Sequence, residues 1–186
     1  NGDDIEIYIN HNNGTDAQIN IGGHFTHTKG GSAGDDFRLR VDDPNSVFSV
    51  GGNFTANLAG AGDVFTWDLD GGSTNITGDI SITASSSFND VYFDLDRGNL
   101  SMRDLTINYS GADDVLMYID QTSVVTTAGD VDIDMNSGDD CYLRMNNNAG
   151  NDGKWNITGD MDVFHNAPAA DVYLQIRRDS KVDVGG

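Results

Sequence analysis

The sequence predicts an all-β protein, a single parallel β-solenoid of three short strands per coil, about 27 residues per coil and roughly six to seven coils over residues 1–186. Three observations carry this. An acidic-turn block followed by alternating apolar residues occurs seven times, a glycine anchor recurs between the blocks with the same period, and the composition starves helices.

The first strand of each coil is the acidic-turn block. It reads G-D-D-I-E-I-Y-I from Gly2, G-D-D-F-R-L-R-V from Gly34, G-D-V-F-T-W-D-L from Gly62 and F-N-D-V-Y-F-D-L from Phe88. It continues as A-D-D-V-L-M-Y-I from Ala112, G-D-D-C-Y-L-R-M from Gly138 and A-A-D-V-Y-L-Q-I from Ala169. A period of two sends alternate residues inward, where they stack on their equivalents in the next coil. The first inward column is Ile5, Phe37, Phe65, Val91, Val115, Cys141 and Val172. The second is Ile7, Leu39, Trp67, Phe93, Met117, Leu143 and Leu174, and the third Ile9, Val41, Leu69, Leu95, Ile119, Met145 and Ile176. All 21 are apolar.

Second and third strands follow within each period, as in Val125-Thr127 and then Val131-Ile133-Met135 after Val115-Met117-Ile119. Between them lies the glycine anchor, apolar-x-G-[GD]-x-apolar. Its key positions are Gly23, Gly52, Gly78, Arg103, Gly129, Gly159 and Gly185, spaced by 29, 26, 25, 26, 30 and 26 residues. Arg103, with Ser101, departs from the pattern. The variable stretches His11–Ala17, Asp42–Asn45 and Asn146–Gly153 fall between strands one and two, where a corner tolerates insertion. Pro44 and Pro168 also fall at corners, where a missing N–H breaks no ladder.

Composition agrees and excludes several functions. The 30 acids include one Glu, Glu6, and there are three Lys, so two good helix formers are nearly absent. A net charge of −20 and a pI near 4.1 speak against nucleic acid and anionic membrane surfaces. No apolar run approaches the roughly 20 residues of a membrane span. The one cysteine, Cys141, excludes an intramolecular disulfide and stands between Val115 and Val172 in its column, as a small buried hydrophobe.

The aspartates form three files, one per corner. The first is Asp3-Asp4, Asp35-Asp36, Asp63, Asp90, Asp113-Asp114, Asp139-Asp140 and Asp171; the second is Asn10, Asp42, Asp70, Asp96, Asp120 and Asn146. The third is Asn53, Asp79, Asp104, Asp130 and Asp160. Like charges one coil apart, about 4.8 Å, need hydrogen bonds, solvent or cations. Acceptance of turn N–H groups is the leading reading. The other is Ca²⁺ held between coils, for which Asp36, Asp114 and Asp140, doubled with Asp35, Asp113 and Asp139, are the candidates. The period of 27 does not match the nonapeptide of calcium-binding solenoids.

Catalysis is the minor expectation. Asp68 and Asp94 point outward from adjacent coils near Arg40 and Arg144, an acid pair of the kind polysaccharide-cleaving solenoids use. Repeated charged faces create such pairs automatically, so the chain is expected not to be an enzyme. His24 and His27 flank Phe25 and are expected to decorate a strand. Tyr92, Leu116, Tyr142 and Tyr173 form an outward apolar strip, with Tyr8 and Tyr118 on the neighbouring column, suited to cross-strand support or lateral contact.

The blocks S-V-G-G-N-F-T-A-N-L-A-G-A-G-D-V-F-T-W-D-L from Ser49, I-T-G-D-I-S-I-T from Ile76 and T-A-G-D-V-D-I-D-M-N-S-G-D-D-C-Y-L-R-M from Thr127 resemble the β-strand repeats of large secreted bacterial surface proteins, as carried by Planctomycetes. The resemblance implies a secreted, surface or matrix protein and transfers no catalytic residue.

Neither end of the sequence carries a polar or helical cap: it enters strand one at Ile5-Ile7-Ile9 and closes after the second strand of a seventh coil. The expectation is a structural subunit of an extracellular fibre, surface layer or adhesin-like assembly, its copies stacking end to end, or a segment of a longer chain that continues the solenoid. A polysaccharide-binding or polysaccharide-cleaving β-helix protein is the alternative.

Overall fold

A computed structural model describes residues 4–10, 17–28, 36–60, 62–85, 90–110, 114–136, 140–145, 152–166, 171–177 and 180–185. Strand is the regular secondary structure among them, in 20 segments. No helix among them is long and apolar enough to cross a membrane.

The strands lie in three parallel sheets, one per side of the coil. The first sheet runs Ile5–Ile9, Phe37–Asp42, Val64–Asp70, Asp90–Asp96, Val115–Asp120, Cys141–Met145 and Val172–Ile176. The second runs Gln18–Ile21, Val47–Val50, Ser73–Ile76, Asn99–Met102, Val124–Thr127, Lys154–Ile157 and Lys181–Val184. The third has Phe25–Thr28, Phe54–Leu58, Ile80–Ala84, Leu105–Tyr109, Val131–Met135 and Met161–His165. Each strand pairs with its equivalent one coil away, so sheet order follows coil order and the chain is a β-solenoid. Successive coils differ by 32, 28, 26, 24, 26 and 31 residues in the register of the first sheet.

All three inward columns stack as the alternation predicts, Ile5 on Phe37 on Phe65 through to Cys141 on Val172. From Phe37 to Met145 every member is buried. Exposure returns at the outer coils, each flanked by a coil on one side only: Ile5 is 43% and Leu174 56% exposed. The interior is not uniform along its length. Phe37 stacks on Phe65 at 5.3 Å, Trp67 on Phe93 at 5.7 Å and Phe25 on Phe54 at 4.9 Å, while Phe54 meets Trp67 at 4.8 Å. Beyond Phe93 the same columns hold Met117, Cys141, Leu143 and Met145. The buried indoles keep their hydrogen bonds. Trp67 Nε1 donates to Thr74 Oγ1 at 3.4 Å, and Trp155 Nε1 to Thr127 Oγ1 at 3.2 Å, both hydroxyls lying inside the coil.

The two histidines differ from expectation. His27 shares the inward parity of Phe25, is 8% exposed, and lies 5.1 Å from the Phe37 ring. His24 sits at the corner, where its Nδ1 accepts the Asn53 N–H at 2.9 Å.

One corner needs left-handed backbone in every coil that describes it. The residues directly after Asp42, Asp70, Asp96 and Asp120 are Asp43 at φ 83°, Gly71 at 93°, Arg97 at 64° and Gln121 at 43°. Only Gly71 adopts this region without steric cost. Asp43 N–H donates to Asp70 O and Gly71 N–H to Asp96 O, so the turn is itself part of the coil-to-coil ladder.

Candidate functional site

The first acidic file is a capping ladder. Asp4 Oδ1 accepts from Asp36 N at 3.2 Å, Asp36 Oδ1 from Val64 N at 3.0 Å, and Asp114 Oδ1 from Asp140 N at 3.1 Å. Asp140 Oδ1 in turn accepts from Asp171 N at 2.9 Å. The second oxygen of Asp140 takes the Tyr142 hydroxyl at 2.8 Å, and that of Asp171 takes Tyr173 at 2.8 Å. Thus Asp36, Asp114 and Asp140 each commit oxygen to N–H or O–H donors, as turn chemistry requires. Their partners Asp35, Asp113 and Asp139 lie outside the described residues. Among the described residues no group of three or more His, Cys, Asp or Glu is arranged to hold a metal ion.

The third file works the same way and explains the glycine anchor. Asn53 Oδ1 accepts from Asp79 N at 3.2 Å, Asp104 Oδ1 from Asp130 N at 3.0 Å, and Asp130 Oδ1 from Asp160 N at 2.9 Å. Each acceptor oxygen lies against the glycine just before the donor. A Cβ on Gly78, Gly129 or Gly159 would come within 2.0, 1.9 and 2.0 Å of Asn53, Asp104 and Asp130 Oδ1. Where the anchor is Arg103, the pattern changes: Asp79 Oδ1 is buried and accepts no hydrogen bond, while Asp79 Oδ2 pairs with Arg103 Nη2 at 2.5 Å. Arg103 Nε reaches Asp104 at 3.2 Å. The signal is present in the sequence as an Asp or Asn one period before Gly78, Gly129 and Gly159, with His24 in that place before Gly52, yet the coupling between coils appears only in three dimensions.

The outward face of the first sheet concentrates charge. In the second file Asp42, Asp70, Asp96 and Asp120 align in register over four coils. Arg40 Nε donates to Asp42 at 2.9 Å, Arg97 pairs with Asp70, and Gln121 Nε2 donates to Asp96 at 2.8 Å. Burial, which outweighs the nearby Arg97, pushes the Asp96 carboxyl above the ordinary range.

Asp68 and Asp94 are register neighbours. Asp68 pairs with Arg38 at 3.0 Å and Arg40 at 3.6 Å. Asp94 accepts the Tyr92 hydroxyl at 3.4 Å, and burial followed by the Asp68 charge raises its pKa. Arg144 lies two coils from Asp94 in the same file and stands over the Tyr118 ring at 5.7 Å. The two neighbouring carboxyls thus differ in surroundings, one beside guanidinium groups and the other beside a phenol.

The aromatic strip is as expected: Tyr92, Leu116, Tyr142 and Tyr173 follow one another in register. Tyr142 and Tyr173 stack at 4.7 Å with planes 2° apart, and Tyr92 meets Tyr118 edge-on at 5.5 Å. Tyr118, Tyr142, Arg144, Tyr173 and Gln175 line a hollow of about 320 Å³ at this end.

The other two sheets contrast with the first. Outward residues of the second are Gln18, Val47, Ser73, Asn99 and Val124 beside Asn20, Ser49, Asn75, Ser101 and Thr126, with no charge over five coils. The third is neutral over four. Sequence reasoning passed over both because it followed charges and apolar columns.

Compared with protein-family models, with curated proteins and with solved structures, the chain matches none.

Proposed function

We propose that the chain is a structural subunit or segment of a secreted extracellular fibre, surface layer or adhesin-like assembly, built by end-to-end continuation of solenoid coils. The observation that carries this is the capping between coils: Asp36 caps Val64 N, Asp114 caps Asp140 N and Asp130 caps Asp160 N, each one coil on, so that one unit extends by repetition. A further coil of the same fold, from the same chain or another copy, would pair with the solenoid as each coil pairs with the next. The Tyr142 and Tyr173 strip offers lateral contact in such an assembly. Electron microscopy at neutral pH with intact mass measurement tests it. Long thin fibres of a subunit near 20 kDa support polymerisation, fibres or rods of a far larger polypeptide support the segment, and discrete particles count against both.

The alternative is binding or cleavage of polysaccharide, which the Asp68 and Asp94 pair favours. Its test is incubation with acidic and neutral polysaccharides, reading new reducing or unsaturated ends. Cleavage that disappears in Asp68→Asn and Asp94→Asn would establish it.

A further inference from the structure

The outward side of the third sheet carries a regular neutral grid across its first four strands. One file is Thr26, Thr55, Ser81 and Thr106; the other is Thr28, Asn57, Thr83 and Asn108, aligned residue for residue. None of the eight is buried. On a chain of net charge −20 this is a field without a single carboxylate or cation, and Asp132, Asp134 and Asp162 end it in the next two coils.

Its geometry is set by the backbone. Equivalent groups repeat at about 4.8 Å from coil to coil and at about 6.6 Å along each strand. Five of the eight are threonine, whose β-branching restricts χ1 and so limits the directions in which hydroxyl and methyl point. Asn57 Nδ2 donates to Thr28 Oγ1 at 3.5 Å, tying neighbouring coils across the field.

We infer that this face binds ice. The charge pattern selects an uncharged partner, since a neutral surface meets it without stripping the hydration of a carboxylate. Two other neutral partners fit less well. The field holds no aromatic ring to lie against a sugar, the outward tyrosines being on the first sheet. A second copy of the chain finds only about 300 Å² here from strand and coil spacings, against the roughly 800 Å² per partner of a stable interface. Ordered water needs neither a ring nor a large buried area. Waters held by stiff hydroxyls at fixed spacing are shared with the lattice beyond them, and the contact multiplies over the grid.

The second sheet is an internal control. It is also neutral, but its files mix Gln18, Val47 and Val124 with short polar residues and lack a common side-chain size.

The test is independent of the assembly role and uses the whole chain. Ice is grown slowly from solution and the protein partitioned into it is compared with serum albumin, alongside Thr55→Lys/Thr83→Lys, Ser81→Lys/Thr106→Lys and, on the second sheet, Ser49→Lys. Circular dichroism checks each fold. The expected result is enrichment of the wild type and Ser49→Lys in ice, with loss of that enrichment in a folded double variant of the third sheet. Exclusion of the wild type to the same extent as albumin overturns the inference. So does enrichment that survives the double substitutions, and so does exclusion from ice combined with retention on insoluble cellulose or chitin, which would reassign the face to glycan.

Discussion

Asp104 Oδ1 lies 1.9 Å from where a Cβ on Gly129 would stand, one coil away, and the same oxygen caps Asp130 N at 3.0 Å. The glycine is therefore the space in which a neighbouring coil's carboxylate works. Gly129→Ala is expected to destabilise by about 1–3 kcal/mol through forced displacement of that cap. Adding Asp104→Ala should cost less than the sum of the two single changes, because the clash vanishes with the side chain. Denaturant titration of the four proteins reads the difference; strict additivity would deny the coupling.

Arg103→Gly probes the exception. The substitution removes exposed ion pairs to Asp79 and Asp104, which count for little in solvent, and opens the space that would let Asp79 Oδ1 cap Asp104 N. The melting midpoint is expected to hold or rise. A fall of several degrees would show that Arg103 has become the main tie between coils three and four.

Core substitutions should report the aromatic half most strongly. Phe93 is fully buried against Phe65 and Trp67, and Phe93→Ala is expected to cost about 3–5 kcal/mol. Met117→Asp or Leu143→Asp places an unpaired charge inside the coil and should unfold the middle coils, visible as lost strand signal in circular dichroism.

Acidification has a defined sign. Asp94 and Asp96 have carboxyls raised in the folded state, so between the ordinary aspartate range and their raised values the folded chain binds more protons than the unfolded one. Their ionisation therefore opposes folding. Stability should increase as pH falls from neutral into that window, and Asp94→Asn should raise the midpoint at pH 7 and flatten the profile. A midpoint independent of pH in wild type and variant alike would contradict this.

Chelation distinguishes the two readings of the acidic corners. Because Asp36, Asp114 and Asp140 already accept backbone N–H groups, excess chelator is expected to leave the melting curve unchanged. A drop, with calcium found by elemental analysis, would restore the cation reading.

The inward columns were legible because period two within a strand and about 27 between coils act on the same 21 residues, and a slip of one position would turn an apolar file to solvent. The same parity placed the tyrosine strip, and applied to Phe25 it also buries His27, against the usual preference of histidine for partial exposure. What the sequence could not show was partnership between coils. The choice of Arg38 and Arg40 for Asp68, and of Tyr118 for Arg144, depends on long side chains selecting among neighbours on a crowded face. Left-handed backbone at Arg97 was equally invisible, since nothing in that residue type requests it.

In the inward columns of the first sheet, the change from stacked rings to thioether, thiol and aliphatic side chains beyond Phe93 gives the rod a direction in its response to tension. Repeat arrays yield unit by unit, and a coil resists in proportion to the contacts it must break to leave its neighbour. A pull on the chain would therefore meet its steepest resistance at the Phe37, Phe65, Trp67 and Phe93 rings, the coil of Leu143 and Met145 keeping Trp155 as its buried ring, so that the ring-rich part acts as the anchor and the rest as the more compliant extension.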